Sequence, residues 1–236
     1  MRKIAILSPH LDDAALSLAD HILLWQKKGI EVTIITVFTS FSTHRLSADT
    51  SSYIHKCGFK SIKKFELARK KEDVDAMKLL GLHKNYIHLD FTDGGFREKN
   101  SKPVYESYDA LFSGKITDDT TYLEKIDAIL QKLLNEFSVV IAPFGIGNHA
   151  DHIIVKNSAK IACRKKSLLF YAEYPYALHK RNWGIKNYLH HFITPKTTIC
   201  TSHKKRRILA AYSSQIPVLF QDPIQYKEIV YTHAHL

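Results

Sequence analysis

Near the N-terminus, Ser8-Pro9-His10-Leu11-Asp12-Asp13 places one imidazole and two carboxylates where an apolar run ends. Imidazole nitrogen and carboxylate oxygen are ligands for zinc and related divalent cations. A second cluster, Gly145-Ile146-Gly147-Asn148-His149-Ala150-Asp151-His152, follows the apolar run Val139–Phe144. His149 and His152 are three positions apart at the start of an expected helix, which puts both rings near one face with Asp151 beside them. A catalytic zinc usually takes three protein ligands and keeps a fourth position for water. His10, one of Asp12 and Asp13, and one of His149 and His152 make a natural set, leaving a carboxylate and an imidazole for proton transfer. Singly, each residue has a plainer use: either aspartate suits a helix N-cap, and a lone histidine suits a helix start. Capping explains one aspartate. It does not explain two after a histidine, matched by a cluster at another strand end.

The elements that must position these residues read as alternating strands and helices. Residues 3–8 and 31–38 are expected strands around a helix near 13–28, with Gly29 as its stop. A polar segment from Thr39 to Lys60 reads as a long loop able to cover a site. A helix over 65–80 follows, with Leu67, Val74, Met77 and Leu80 as inward residues, then a strand from Tyr86 to Phe91. Residues 92–118 read as an irregular connection. Beyond them come a helix near 120–135, the strand Val139–Phe144, a helix near 150–164, the strand Leu168–Ala172 and helical spacing from Lys204 to Ser214. Repeated βα units imply an α/β, Rossmann-like three-layer fold, with a mostly parallel sheet and helices on both faces. In such sheets ligands bind beyond the carboxyl ends of the strands, where both clusters fall.

Composition narrows the classes. At 236 residues the chain can bury a substantial core, and one domain over 1–236 is expected. Its three cysteines, Cys57, Cys163 and Cys200, are scattered and lack metal-ligand spacing, so reduced thiols and a cytoplasmic location are expected. The apolar run breaks at Ser8-Pro9, which argues against a secretory signal, and no stretch approaches the length of a membrane span. The formal net charge of +11 concentrates at Lys60–Lys71, Arg164–Lys166 and His203–Arg207. Such clusters are usually solvated faces, and they also suit nucleic acid, an anionic lipid surface or an acidic substrate, among which the charge alone does not decide. There is no recognisable nucleic-acid motif, and a homo-oligomer is compatible with the sequence.

One rival shares the second cluster. Gly145, Gly147 and Ala150 spell G-x-G-x-x-A between strand and helix, with Glu173 after the next strand. That is the dinucleotide-binding pattern of an NAD(P)-dependent oxidoreductase. It leaves His10, Asp12 and Asp13 without work. A non-catalytic sugar- or nucleic-acid-binding module is a further alternative.

His10-Leu11-Asp12-Asp13 resembles the H-P-D-D-E element, and His149-Ala150-Asp151-His152 the H-P-D-H element, of the zinc-dependent de-N-acetylases of the PIG-L or LmbE-like group. Weaker echoes are Arg69-Lys70-Lys71-Glu72 for an R-x-x-E helix, Asp93-Gly94-Gly95 after a strand, and Lys205 with Ala211-Tyr212-Ser213-Ser214-Gln215 for a terminal helix. The resemblance implies an amidohydrolase that removes an N-acetyl or other N-acyl group from an amino-sugar-containing molecule, releasing amine and acetate. It implies Zn2+, or another divalent metal, on His10, Asp13 and His152, with Asp12 as general base. His149 would be the general acid or oxyanion stabiliser, tuned by Asp151. Arg69, Asp93 and Arg97 are the candidate substrate contacts. Two positions depart from the pattern: Leu11 replaces proline and Ala14 stands where many members have glutamate. Neither is a proposed ligand, so the reaction class transfers more securely than the substrate.

Overall fold

A computed structural model describes residues 2–164, 166–184, 196–220 and 226–231. Lys165, in one of the basic clusters, lies outside the described residues. The strands are β1 (Lys3–Ser8), β2 (Glu31–Ser40), β3 (Tyr86–Thr92), β4 (Glu98–Lys99), β5 (Lys102–Pro103), β6 (Val139–Pro143), β7 (Ser167–Tyr171), β8 (Lys196–Cys200) and β9 (Lys227–Tyr231). The helices are α1 (Asp13–Lys27), α2 (Ala48–Lys56), α3 (Ile62–Leu79), α4 (Tyr108–Leu111), α5 (Thr120–Leu134), α6 (Ala150–Ala162), α7 (His203–Leu209) and α8 (Ile216–Leu219).

Seven strands form one sheet in the order β3-β2-β1-β6-β7-β9-β8. The run from β3 to β7 is parallel, whereas β9 pairs antiparallel with both β7 and β8. Alternation along β1 explains the layers, since successive side chains on a strand point to opposite faces. Ile4 and Ile6 pack with α1, α3 and α7 through Leu18, Ile22, Met77 and Leu209. Ala5 and Leu7 face the other way, toward Ile126 and Leu130 of α5 and Val155 of α6. The expected three-layer α/β architecture is the observed one.

Several local expectations need correction. The segment read as a loop over 39–60 contains α2, whose Ser47 side chain accepts from the Thr50 amide. Only Thr50 and Ile54 of α2 are buried, so its apolar period is too sparse to stand out from sequence. The connection over 92–118 holds the β4–β5 hairpin and α4. In α3, Leu67 is 61 % exposed, and the inward face is instead Phe65, Arg69, Glu72, Asp73, Ala76 and Met77. Half of that face is charged, so a search for apolar spacing selects the wrong stripe. The helical spacing over Lys204–Ser214 is α7 as far as Leu209 and a turn after it, with α8 following from Ile216. Lys205, within a cluster expected to be solvated, is fully buried and paired with Glu228 at 2.7 Å.

Candidate active site

β1 and β6 are neighbours, but their following helices, α1 and α6, cover opposite faces of the sheet. A crevice opens at such a switch point beyond the strand ends. The two sequence clusters leave these two strands and meet there.

The turn after β1 is held by its own polar groups. The Ser8 hydroxyl donates to the His10 carbonyl at 2.6 Å and accepts the Ala14 amide at 3.0 Å. Asp12 stands at the N-cap of α1, yet its side chain makes no capping bond. Ser8 takes that work, which leaves both aspartates for other uses. Asp13 Oδ2 accepts the His10 backbone amide at 2.8 Å and lies 3.1 Å from His10 Nδ1 and 3.3 Å from His152 Nε2. Asp12 instead turns to Arg69, with Oδ2 3.4 Å from Nη1. Leu11 packs among Phe41, Phe65 and Phe96, while Ala14 is buried under the sheet with Ile4 and Ile6.

His10, Asp13 and His152 are buried, and one ligand atom of each lies within 4.8 Å of the others. His152 Nε2 is a buried polar atom with no hydrogen-bond partner among the described residues. Such an orphan is costly unless something polar completes it. Two imidazoles and one carboxylate around that atom fit a divalent cation. His10, His149 and Asp151 form a second close group. There the Asp151 carboxylate is already engaged by Arg97 Nη2 at 2.5 Å, the Gly94 amide at 2.8 Å and His10 Nε2 at 2.9 Å. The first group is therefore the better cation site.

The surrounding charges act strongly because the site is buried. Burial disfavours an imidazolium at His152, but the Asp13 carboxylate outweighs it and raises the pKa to about 9. His10 is likewise raised well above the ordinary histidine value, because burial is outweighed by Asp93, Asp13 and Asp151 together. Asp13 is held well below the usual carboxylate range, since His152 and His10 together overcome burial. His149 goes the other way. Burial, reinforced by His10, depresses it well below the ordinary value, so it is neutral. Its Nδ1 accepts the Asp151 backbone amide at 3.1 Å, leaving the proton on Nε2 as a donor.

A cavity of about 770 Å³ adjoins the cluster and is lined by His10, Asp12, Asp13, Arg69, Asp93 and His149. Its walls also carry residues that the sequence did not single out: Tyr53, Phe65, Phe112 and Tyr176 supply aromatic surface, and Lys56 and Arg181 supply charge. Aromatic residues in a sequence carry no sign of facing a cavity rather than the core. Arg97, a candidate substrate contact, does not line the cavity. Its guanidinium is spent on buried carboxylates, with Nε 2.6 Å from Asp118 and Nη2 against Asp151, and on the Thr92 carbonyl at 3.0 Å. The Asp151 carboxylate is hydrogen-bonded to His10 and acts on the nearby His149 through its charge.

The dinucleotide reading fails on the same turn. The Gly145 and Ile146 amides, which would have to cradle a pyrophosphate, donate to Glu173, and the Gly147 amide donates to the Asn182 carbonyl. Glu173 is fully buried and cannot meet a ribose. Gly147 has φ +83, and a Cβ there would lie 2.9 Å from the Tyr176 ring, so its glycine serves close packing.

A Rossmann-like sheet with a His-Asp-His donor set, a further carboxylate paired to Arg69 and a neutral imidazole at its switch point fits a metal-dependent hydrolase. The family model for PIG-L, described as GlcNAc-PI de-N-acetylase, matches residues 5–163, and the chain belongs to that family. It is thus an amidohydrolase acting on N-acetyl groups. It is 26 % identical over 189 residues to the 2'-N-acetylparomamine deacetylase of Niallia circulans, covering 74 % of this chain and 68 % of that one. Among solved structures, it resembles a deacetylase of teicoplanin biosynthesis in its bog complex, with TM-score 0.76 and 19 % identity over 97 % of this chain and 96 % of that one. The zinc-inhibited form of a teicoplanin deacetylase is similar at TM-score 0.74 and 19 % identity, over 97 % of each chain. No helix among the described residues is long and apolar enough to cross a membrane.

Proposed function

We propose that the chain removes the N-acetyl group from an amino-sugar conjugate that carries an anionic group, using zinc held by His10, Asp13 and His152. The observation that carries this reading is the orphaned His152 Nε2, buried beside Asp13 and His10 at the edge of the cavity that Asp12 and His149 line. Zinc bound there would acidify a water and polarise the amide carbonyl. Asp12, beside the ligands but turned to Arg69, accepts the water's proton and is placed to return it to the departing amine. His149 Nε2–H, fixed as a donor, stabilises the developing oxyanion. Neutral His149 suits that role better than general acid catalysis.

Arg69, Lys56 and Arg181 favour an anionic conjugate, and Arg69 Nε has no hydrogen-bond partner among the described residues. Asp93 offers an acceptor for sugar hydroxyls, and the likeness to a 2'-N-acetylparomamine deacetylase supports the amino-sugar class.

The test is a panel of N-acetylated amino sugars, neutral and phosphate-bearing, with free amine as the readout. Turnover of the anionic members with kcat/KM falling as salt rises is expected. Salt-insensitive preference for neutral sugars would remove the anionic element, and no amine from any member would remove the amino-sugar reading. Asp12→Ala should keep the metal and lose about 10²–10⁴-fold in kcat. His152→Ala should lose metal and activity together. Equal metal loss in both variants would mean that the two aspartates exchange roles.

A further inference from the structure

Glu173 follows β7 and is fully buried. Its Oε1 accepts the Gly145 amide at 2.5 Å and stands 3.2 Å from His152 Nδ1, while Oε2 accepts the Ile146 amide at 3.3 Å. Burying a carboxylate is costly, and two backbone amides could be satisfied by a neutral acceptor. The imidazole is the partner that gains from the negative charge.

The geometry of that contact restricts the ring. In neutral His152 only one nitrogen carries hydrogen. With the proton on Nε2, the bare Nδ1 lone pair would oppose Glu173 Oε1. With the proton on Nδ1 the contact is a charge-assisted hydrogen bond, and the Nε2 lone pair faces Asp13 and His10. Tyr176 meets the same ring edge to face at 5.3 Å, so it is held by packing as well. The two amides belong to the turn that leads into His149, so one carboxylate ties the ligand to the turn carrying the oxyanion donor.

We propose that Glu173 is a positioning residue that holds His152 as the Nδ1–H tautomer, aims its Nε2 lone pair at the cation site, and thereby sets divalent-metal affinity. This inference rests on the metal-site reading above. A carboxylate on the far nitrogen of a ligating histidine typically contributes 10–100-fold in metal affinity.

Zinc affinity is measured by competition with a chromophoric chelator for the wild type and Glu173→Gln, with circular dichroism and thermal unfolding of both metal-free proteins. The variant is expected to fold and to bind zinc about 10–100-fold more weakly. A folded variant with wild-type affinity overturns the inference while leaving the metal site standing. A wild type that binds no zinc removes the site reading and the inference with it. Should the variant not fold, ¹H–¹⁵N spectra of the zinc-loaded wild type decide. A retained Nδ1–H on His152 with a zinc-shifted Nε2 supports the assignment, and the reverse pattern overturns it.

Discussion

The Asp151 carboxylate lies in one close group with His10 and His149 and makes its hydrogen bonds away from His149. The family resemblance implies that it tunes His149, and its charge does act to raise that imidazole's pKa against burial. Its carboxylate bonds to His10, Gly94 and Arg97, and burial is overcome by Arg97 together with His10 and His149, which keeps its pKa below the usual carboxylate range. Arg97 thereby supports the site from behind, with its guanidinium carbon 5.1 Å from the Phe38 ring centre. Removing one member of a buried ion-pair network leaves uncompensated charge and typically costs about 3–5 kcal/mol. Arg97→Met is expected to destabilise the protein on that scale in urea titration, because Asp118 and Asp151 both lose their cation. A loss below about 1 kcal/mol would place the Arg97 pairs with weak surface bridges.

At the scale of the element, α3 departs furthest from expectation. A helix against a sheet normally buries an apolar stripe. Here Arg69 faces the cavity, Glu72 accepts from Ser213 and Ser214, and Asp73 accepts from Tyr212 and His88. Those polar partners lie far along the chain, so α3 is fastened to the segment after α7 by hydrogen bonds as well as packing. Leu67→Lys should change stability by no more than about 0.5 kcal/mol, as expected for an exposed position. Met77→Ala should cost about 2–5 kcal/mol, since that side chain is buried in the core. Chemical denaturation of both variants checks the assignment, and similar losses would contradict it.

For the whole molecule, the sheet order brings loops after β1, β3, β6 and β7 to one edge, and the burial created there controls the electrostatics. In the metal-free protein, His152 has a folded pKa of about 9, above its unfolded value, and His10 is raised in the same direction. Their contribution is complete below about pH 6.5 and is lost as pH rises toward the folded value. Depressed His149 and Asp13 act at lower pH, and Lys156, lowered to about 8 by burial, acts above that. Between pH 6.5 and 8 the chelator-treated protein should therefore lose about 1.4 kcal/mol of stability per pH unit through His152, with His10 acting in the same direction. Zinc should reverse the trend, because it competes with those protons and binds the folded state. Denaturant midpoints across that window test both signs, and a flat metal-free profile would contradict the raised histidines.

The sequence alone determined the alternation of strands and helices, the three-layer class and the chemical types gathered at two strand ends. Those features are local: strand burial, helical spacing and a polar cluster after an apolar run appear within a few residues. Tertiary structure decided which nitrogen of each imidazole meets which carboxylate, that Asp13 faces the histidines while Asp12 faces Arg69, that Arg97 points inward, and that Glu173 is buried against His152 where no ribose can reach it. Each depends on groups distant in the chain, as with His10 and Asp151, 141 positions apart. Only closure of the sheet sets their distances, and only burial gives their charges that much effect.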